Sequence, residues 1–168
     1  MFGKTVRRLA PFAAIAAILL VAQPASAAAS KPPQLQAFSV SLPAGLACPF
    51  PLDITGTNGQ ITQVTFKNGS FFNVGKGVLL TYSNPSNGKS YTVNTAGSVD
   101  RFVQNPDGTY TGYLSGHNGY IYFNTDATGP RAIEYTGRLV VTTDSTLSNT
   151  LSVDFTSGQS VDVCAALS

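Results

Sequence analysis

At 168 residues, with 10 basic and 8 acidic side chains, the chain is long enough for one domain with its own core. Removing Lys4, Arg7 and Arg8, which sit in a leader, leaves Lys31, Lys67, Lys76, Lys89, Arg101, Arg131 and Arg138 against the 8 acids. So even a balance excludes the basic footprint of a nucleic-acid or anionic-membrane binder.

Lys4, Arg7 and Arg8 form a positive start, Phe12 to Ala22 is apolar, Gln23-Pro24 breaks the run, and Ala25-Ser26-Ala27 offers the small residues a signal peptidase accepts. Residues 1–27 therefore read as a secretory signal peptide cut after Ala27. The apolar run is shorter than the about 20 residues a spanning helix needs. Arg7-Arg8 hints at twin-arginine export, but Leu9-Ala10-Pro11 does not continue that pattern, and ordinary export is the expectation. No Cys follows the cut, as a lipoprotein requires, and Ala165-Ala166-Leu167-Ser168 is no hydrophobic tail. The expectation is an extracellular protein, released or loosely wall-associated, without stable membrane insertion.

Residues 28–36, with Pro32-Pro33, read as a flexible tail. Residues 37–168 read as a single all-β domain, because no long run of apolar residues at helical spacing occurs. Phe38, Val40 and Leu42 alternate in a first strand. Pro49 and Pro51 place the next segment at an edge or rim, since proline donates no ladder hydrogen bond. Further strands are expected at 61–66, 78–82, 91–95, 99–104, 109–115 and 120–123. The clearest is Ala132 to Thr143, with Ile133, Tyr135, Gly137, Leu139 and Val141 on one face and Glu134, Thr136 and Arg138 on the other. Leu151, Val153 and Phe155 repeat the pattern, and Val161 and Val163 close the set.

Asn58-Gly59, Asn68-Gly69, Asn87-Gly88, Asn118-Gly119 and Asn105-Pro106-Asp107-Gly108 read as turns, because Asn and Gly accept left-handed backbone. Consecutive hairpins predict an antiparallel meander closing into a small β-barrel, which would remove exposed edges; a β-sandwich is the alternative. Cys48 and Cys164 are the 2 cysteines. In an exported chain they are expected to form a disulfide rather than a metal site, with two buried thiols as the alternative. Cys164 alternates with Val161 and Val163, so it is expected off the main apolar face.

Chemistry is sparsely encoded. His117 is the lone histidine and the one candidate general base, with Asp107 or Asp126 to orient it; flanking glycines favour a plain loop residue. No Gly-x-Ser-x-Gly elbow occurs. One histidine and scattered carboxylates predict no metal and no cofactor. Asn73-Val74-Gly75-Lys76-Gly77 lacks the rest of a phosphate loop and reads as a bulge or turn. Tyr110, Tyr113, Tyr120 and Tyr122 lie on two strands flanking His117; facing out, they would form a sugar- or peptide-binding patch, and facing in, they would line the core.

Ala47-Cys48-Pro49-Phe50-Pro51, Leu80-Thr81-Tyr82-Ser83-Asn84, Gly88-Lys89-Ser90, Pro106-Asp107-Gly108, Gly116-His117-Asn118 and Asp162-Val163-Cys164-Ala165-Ala166-Leu167 occur in that order. In these the chain resembles a family of small secreted actinobacterial proteins of unknown function. The resemblance implies export, one domain and a shared terminal Cys pair, and transfers no site residue. The reading of function is a secreted, non-catalytic β-domain protein that binds an extracellular or cell-envelope partner or a small apolar ligand. The alternatives are a small secreted β-barrel enzyme using His117 at one rim, and a structural wall-associated protein.

Overall fold

The computed structural model describes residues 37–168; the leader, its cut after Ala27 and the 28–36 tail lie outside the described residues. The chain forms β1 (Phe38–Leu42), β2 (Leu52–Thr57), β3 (Gln60–Thr65), β4 (Phe71–Lys76), β5 (Leu79–Ser83), β6 (Ser90–Asn94), β7 (Val99–Gln104), β8 (Tyr110–Tyr122), β9 (Arg131–Thr143), β10 (Thr150–Asp162) and α1 (Val163–Ala166). All strand pairs are antiparallel. They make a small sheet in the order β1-β2-β5-β6 and a large one in the order β10-β9-β8-β7-β4-β3.

The small sheet has one apolar face, and its register explains why. Val40 lies opposite Ile54, Ile54 opposite Tyr82, and Tyr82 opposite Tyr91; Leu42 meets Leu52, and Leu80 meets Val93. Directly opposed residues share a face, so period-two alternation collects these side chains on one side. Phe38 lies opposite Gly56, and its ring fills the space a Cβ on Gly56 would take.

The two sheets meet through that face. Leu52, Ile54, Leu80 and Tyr82 pack with Ala132 of β9, with Ala47 and Cys48, and with Val163, Cys164 and Leu167 at the chain's end; Ile121 of β8 packs against them. Alternation along β9 sends Ile133, Tyr135, Leu139 and Val141 the other way, into a second cluster with Leu114 and Tyr122. The long strands thus bury both faces at one end.

The end of the chain is held in three ways. Cys48 and Cys164 form a disulfide with Cα atoms 5.4 Å apart and a sequence separation of 116. The Asp162 carboxylate caps α1 by accepting from the Ala165 N–H at 2.9 Å. The Asn84 and Asn87 side-chain amides, in the β5–β6 turn, donate to the Leu167 carbonyl at 3.0 and 2.9 Å.

Three glycines form a row across the long strands. Gly137 lies opposite Gly116 on one side and Gly158 on the other. All have positive φ, at 93°, 140° and 93° for Gly116, Gly137 and Gly158. A Cβ on Gly137 would overlap the Ser157 carbonyl, and one on Gly158 the Thr136 carbonyl. Only glycine satisfies both the backbone conformation and the close approach.

Several expectations are corrected. The strands stay in two separate sheets and do not close into a barrel. The meander also fails in order: β2 pairs with β5 and β4 with β7, because the chain crosses between sheets after β2, β4 and β6. Asn118-Gly119 is no hairpin turn; β8 runs through it and stays in register with β9 from Tyr110 to Tyr122. The stretch around Asn73 is strand β4 rather than a turn. Cys164 is buried, not turned away from the apolar face, because the chain leaves the strand at Asp162 and the helical turn lets Val163 and Cys164 both point inward.

Two measurements check this frame. Closing so long a loop restricts the unfolded chain by roughly 3–5 kcal/mol, so the Cys48→Ala/Cys164→Ala variant is expected to melt roughly 10 °C or more below wild type. A Tm within a few degrees of wild type contradicts the bond's stabilising role. Gly137→Ala is expected to cost about 2–3 kcal/mol in urea unfolding, whereas Gly88→Ala in an open turn, where a Cβ meets nothing, is expected to cost less.

Candidate functional site: a cleft between the sheets

The large sheet covers only part of the small sheet's apolar face. Phe38 and Val40 on the edge strand β1 remain 38% and 45% exposed. The uncovered part is one wall of a cleft of about 490 Å³. Leu42, Ile54, Leu80 and Tyr82 continue that wall; Ile61, Val74 and Val78 face it from the β3–β5 region. Gly119, Ile121 and Phe123 line it from the large sheet, with Asn73, Thr95, Ser98, Asp100, His117 and Asn118 also in the lining. The size and the apolar walls with few polar groups are those of a small-molecule site.

Gly119 is what lets Tyr82 lie against β8. A Cβ there would overlap the Tyr82 hydroxyl. Tyr82, which is buried, donates to Glu134 Oε2 at 3.4 Å. Glu134 is 1% exposed, and its other oxygen, Oε1, has no partner among the described residues. Burial pushes the Glu134 carboxyl up to about 7, against the smaller opposing pull of the Tyr82 hydrogen bond. Burial also pushes the Tyr82 phenol up, and the neighbouring Glu134 charge adds to it.

Asp100 on β7 lies between Asn73 of β4 and Leu114 of β8. Its Oδ1 is shut off from solvent and has no partner among the described residues. Burial raises its carboxyl above the usual range. His117 shares the cleft lining, but its Nδ1 pairs with the Thr136 hydroxyl at 3.1 Å, and its carbonyl accepts from Ser98 Oγ at 2.5 Å. Asp107 and Asp126, the expected orienting acids, are engaged elsewhere. Asp107 holds Thr109 in the β7–β8 turn, and Asp126 accepts from the backbone N–H groups of Phe123 and Thr150.

The four tyrosines do not meet in an exposed patch. Tyr122 is fully buried and its hydroxyl pairs with that of Tyr135 at 2.9 Å. Tyr120 is half-buried and bonded to the Thr150 hydroxyl. Tyr110 packs near Phe71, and Tyr113 alone is exposed. One continuous β8 turns the even-numbered pair, Tyr120 and Tyr122, toward the second cluster and Ile121 toward the first. Among the described residues no three His, Cys, Asp or Glu side chains converge on a point where a metal would sit.

Sequence reasoning passed over Glu134 and Asp100. The signal for Glu134 is a single acid inside Ala132-Ile133-Glu134-Tyr135, whose alternation predicts a solvent face; the small sheet covers that face.

Glu134 sets a pH dependence. Its folded pKa lies above the ordinary 4.5, so between about pH 4.5 and 7 the folded state holds more protons than the unfolded chain. Stability is therefore expected to fall as pH rises through that window, by an amount of order 3 kcal/mol. Glu134→Gln, neutral throughout, is expected to match wild type in the acid part of the window and to melt higher above it. Parallel Tm profiles for the two proteins would contradict this. Comparisons with protein-family models, with curated proteins and with solved structures found no match.

Proposed function

We propose that this is an exported, non-catalytic β-domain protein that takes up a small apolar ligand in the cleft between its sheets. The observation that carries the reading is the uncovered apolar face: Phe38 and Val40 stand exposed beside Leu42, Ile54 and Leu80 in one 490 Å³ cleft. Leaving that much adjoining apolar surface to water is unfavourable, at roughly 25 cal/mol per Å², and an occupant removes the cost. Export is supported by the leader at residues 1–27, by the Cys48–Cys164 disulfide, which persists in oxidising compartments, and by the resemblance to small secreted actinobacterial proteins. Among the described residues no helix is long and apolar enough to cross a membrane.

A second reading, an enzyme working through His117, draws on His117 and Asp100 lining the same cleft. Against it, the His117 ring pairs with Thr136, and among the described residues no carboxylate is bonded to it. The binding reading uses more of the cleft's chemistry.

The test uses the neutral fluorescent probe N-phenyl-1-naphthylamine. Wild type is expected to bind it with enhanced emission. Val40→Asp, at an exposed position of the wall, is expected to weaken binding roughly tenfold without changing Tm, because the probe must then desolvate a charge. Absence of binding, or equal binding by the variant, overturns the reading. Native mass spectrometry of protein recovered from its own culture medium is expected to show a retained small molecule.

A further inference from the structure

We propose that the cleft selects an apolar molecule bearing a cationic amino group, with the Asp100 carboxylate as its counter-charge; this inference rests on the ligand-binding reading above. No Lys or Arg lines the cleft. Asp100 lines it; Oδ1 is closed off and unpartnered among the described residues, and Oδ2, which no hydrogen bond among them engages, is the oxygen open to a ligand. The nearest cations in sequence are directed elsewhere: Arg101 lines a separate depression with Lys67 and Phe66, and exposed Lys76 lies between Gly75 and Gly77, which line the cleft while Lys76 does not. Arg138 and Arg131 stand against Phe155 and Tyr122.

A second acid, Glu134, stands outside the lining; the Tyr82 hydroxyl donates to it, and its Oε1 is without a donor among the described residues. His117, held by Thr136, is the lone basic side chain in the lining. The wall is therefore apolar, while its polar part holds one acid, Asp100, no Lys or Arg, and one buried donor without a partner among the described residues, Asn118 Nδ2. A buried carboxylate without a donor is costly, and removing that cost favours a ligand that brings one.

The three head-group classes separate on this basis. A carboxylate would sit as a like charge against Asp100 and drive one of the pair toward protonation. A hydroxyl supplies one donor and no charge. An ammonium supplies several donors and the opposite charge, and a charge-assisted hydrogen bond is roughly twice as strong as a neutral one. The apolar body of the same molecule occupies the wall at Phe38, Val40, Ile54 and Leu80.

The experiment displaces N-phenyl-1-naphthylamine from wild type and from Asp100→Asn with decylamine, decan-1-ol and decanoate at about pH 7.5, where an alkylamine is protonated as a lysine side chain is. In wild type, decylamine is expected to act at roughly tenfold lower concentration than decan-1-ol, with decanoate weakest. In Asp100→Asn the advantage of the amine is expected to vanish while decan-1-ol is unaffected. Equal or better displacement by decan-1-ol or decanoate in wild type overturns the inference and leaves the cleft a general apolar site. An amine preference that survives in a folded Asp100→Asn overturns the role of Asp100. If the fluorescent probe and all three chains fail to bind, the ligand-binding reading falls and the inference with it. The wild-type ranking decides the ligand's charge whether or not Asp100→Asn folds.

Discussion

The fold depends on tying residues 163–167 back onto a sheet made almost entirely from the first half of the domain. The small sheet, from Phe38 to Asn94, cannot bury its apolar face alone, and an isolated four-stranded sheet with one greasy side is not a stable object in water. Its cover is assembled from Ile121, Ala132, Val163 and Leu167. The Cys48–Cys164 bond fixes that cover at one corner, and the Asn84 and Asn87 amides fix it at another by satisfying the Leu167 carbonyl. These restraints act on the same few residues, so the last turn behaves as part of the small sheet's core rather than as a loose end.

The cover is incomplete at the other corner, and the cleft follows from that. Nothing among the described residues packs over Phe38 and Val40 as Ala132 and Leu167 pack over Leu52 and Tyr82. At the boundary between covered and uncovered halves sit Tyr82, Gly119 and Glu134. Gly119 contributes no side chain, which leaves room for the phenol, and the phenol closes off the acid beneath it. A polar pair is therefore built into the junction of two apolar regions, where a partly satisfied network has its largest energetic effect.

Much of the architecture was legible in the sequence, and the errors have physical causes. Asn68-Gly69, Asn87-Gly88 and Pro106-Asp107-Gly108 do make the β3–β4, β5–β6 and β7–β8 turns, with Gly69, Gly88 and Gly108 at positive φ. Local backbone preference decides such turns, so local sequence reports them. Asn118-Gly119 carries the same dipeptide but runs straight, because β9 pairs with both sides of it and Tyr82 requires a position without a Cβ. Partners distant in sequence overrode the local signal. Alternation identified the inward side chains of β1, β5 and β9, passed over β2, and could not report that β9 is covered on both faces near Glu134. The cleft itself was invisible for the same reason: its walls come from many separate segments, and openness is a property of how sheets are set against each other. Asp100 and His117 were each visible as residues, but only the pairing of β7 with β4 and β8 brings them to one cavity.

The repeated crossing between sheets has a consequence for the order in which the chain can fold. As the polypeptide emerges, β1, β2, β5 and β6 are complete by Asn94, long before Ala132 or Leu167 exists. Until β8, β9 and α1 follow, the nascent small sheet presents a bare hydrophobic surface, and its edges are open to other chains. Structure that waits on partners so far along the chain forms slowly and is exposed to aggregation while it waits. Cys48 likewise stays an unpaired thiol for the whole of that interval. The chain thus has a built-in vulnerable period, one that ends only when its final turn docks.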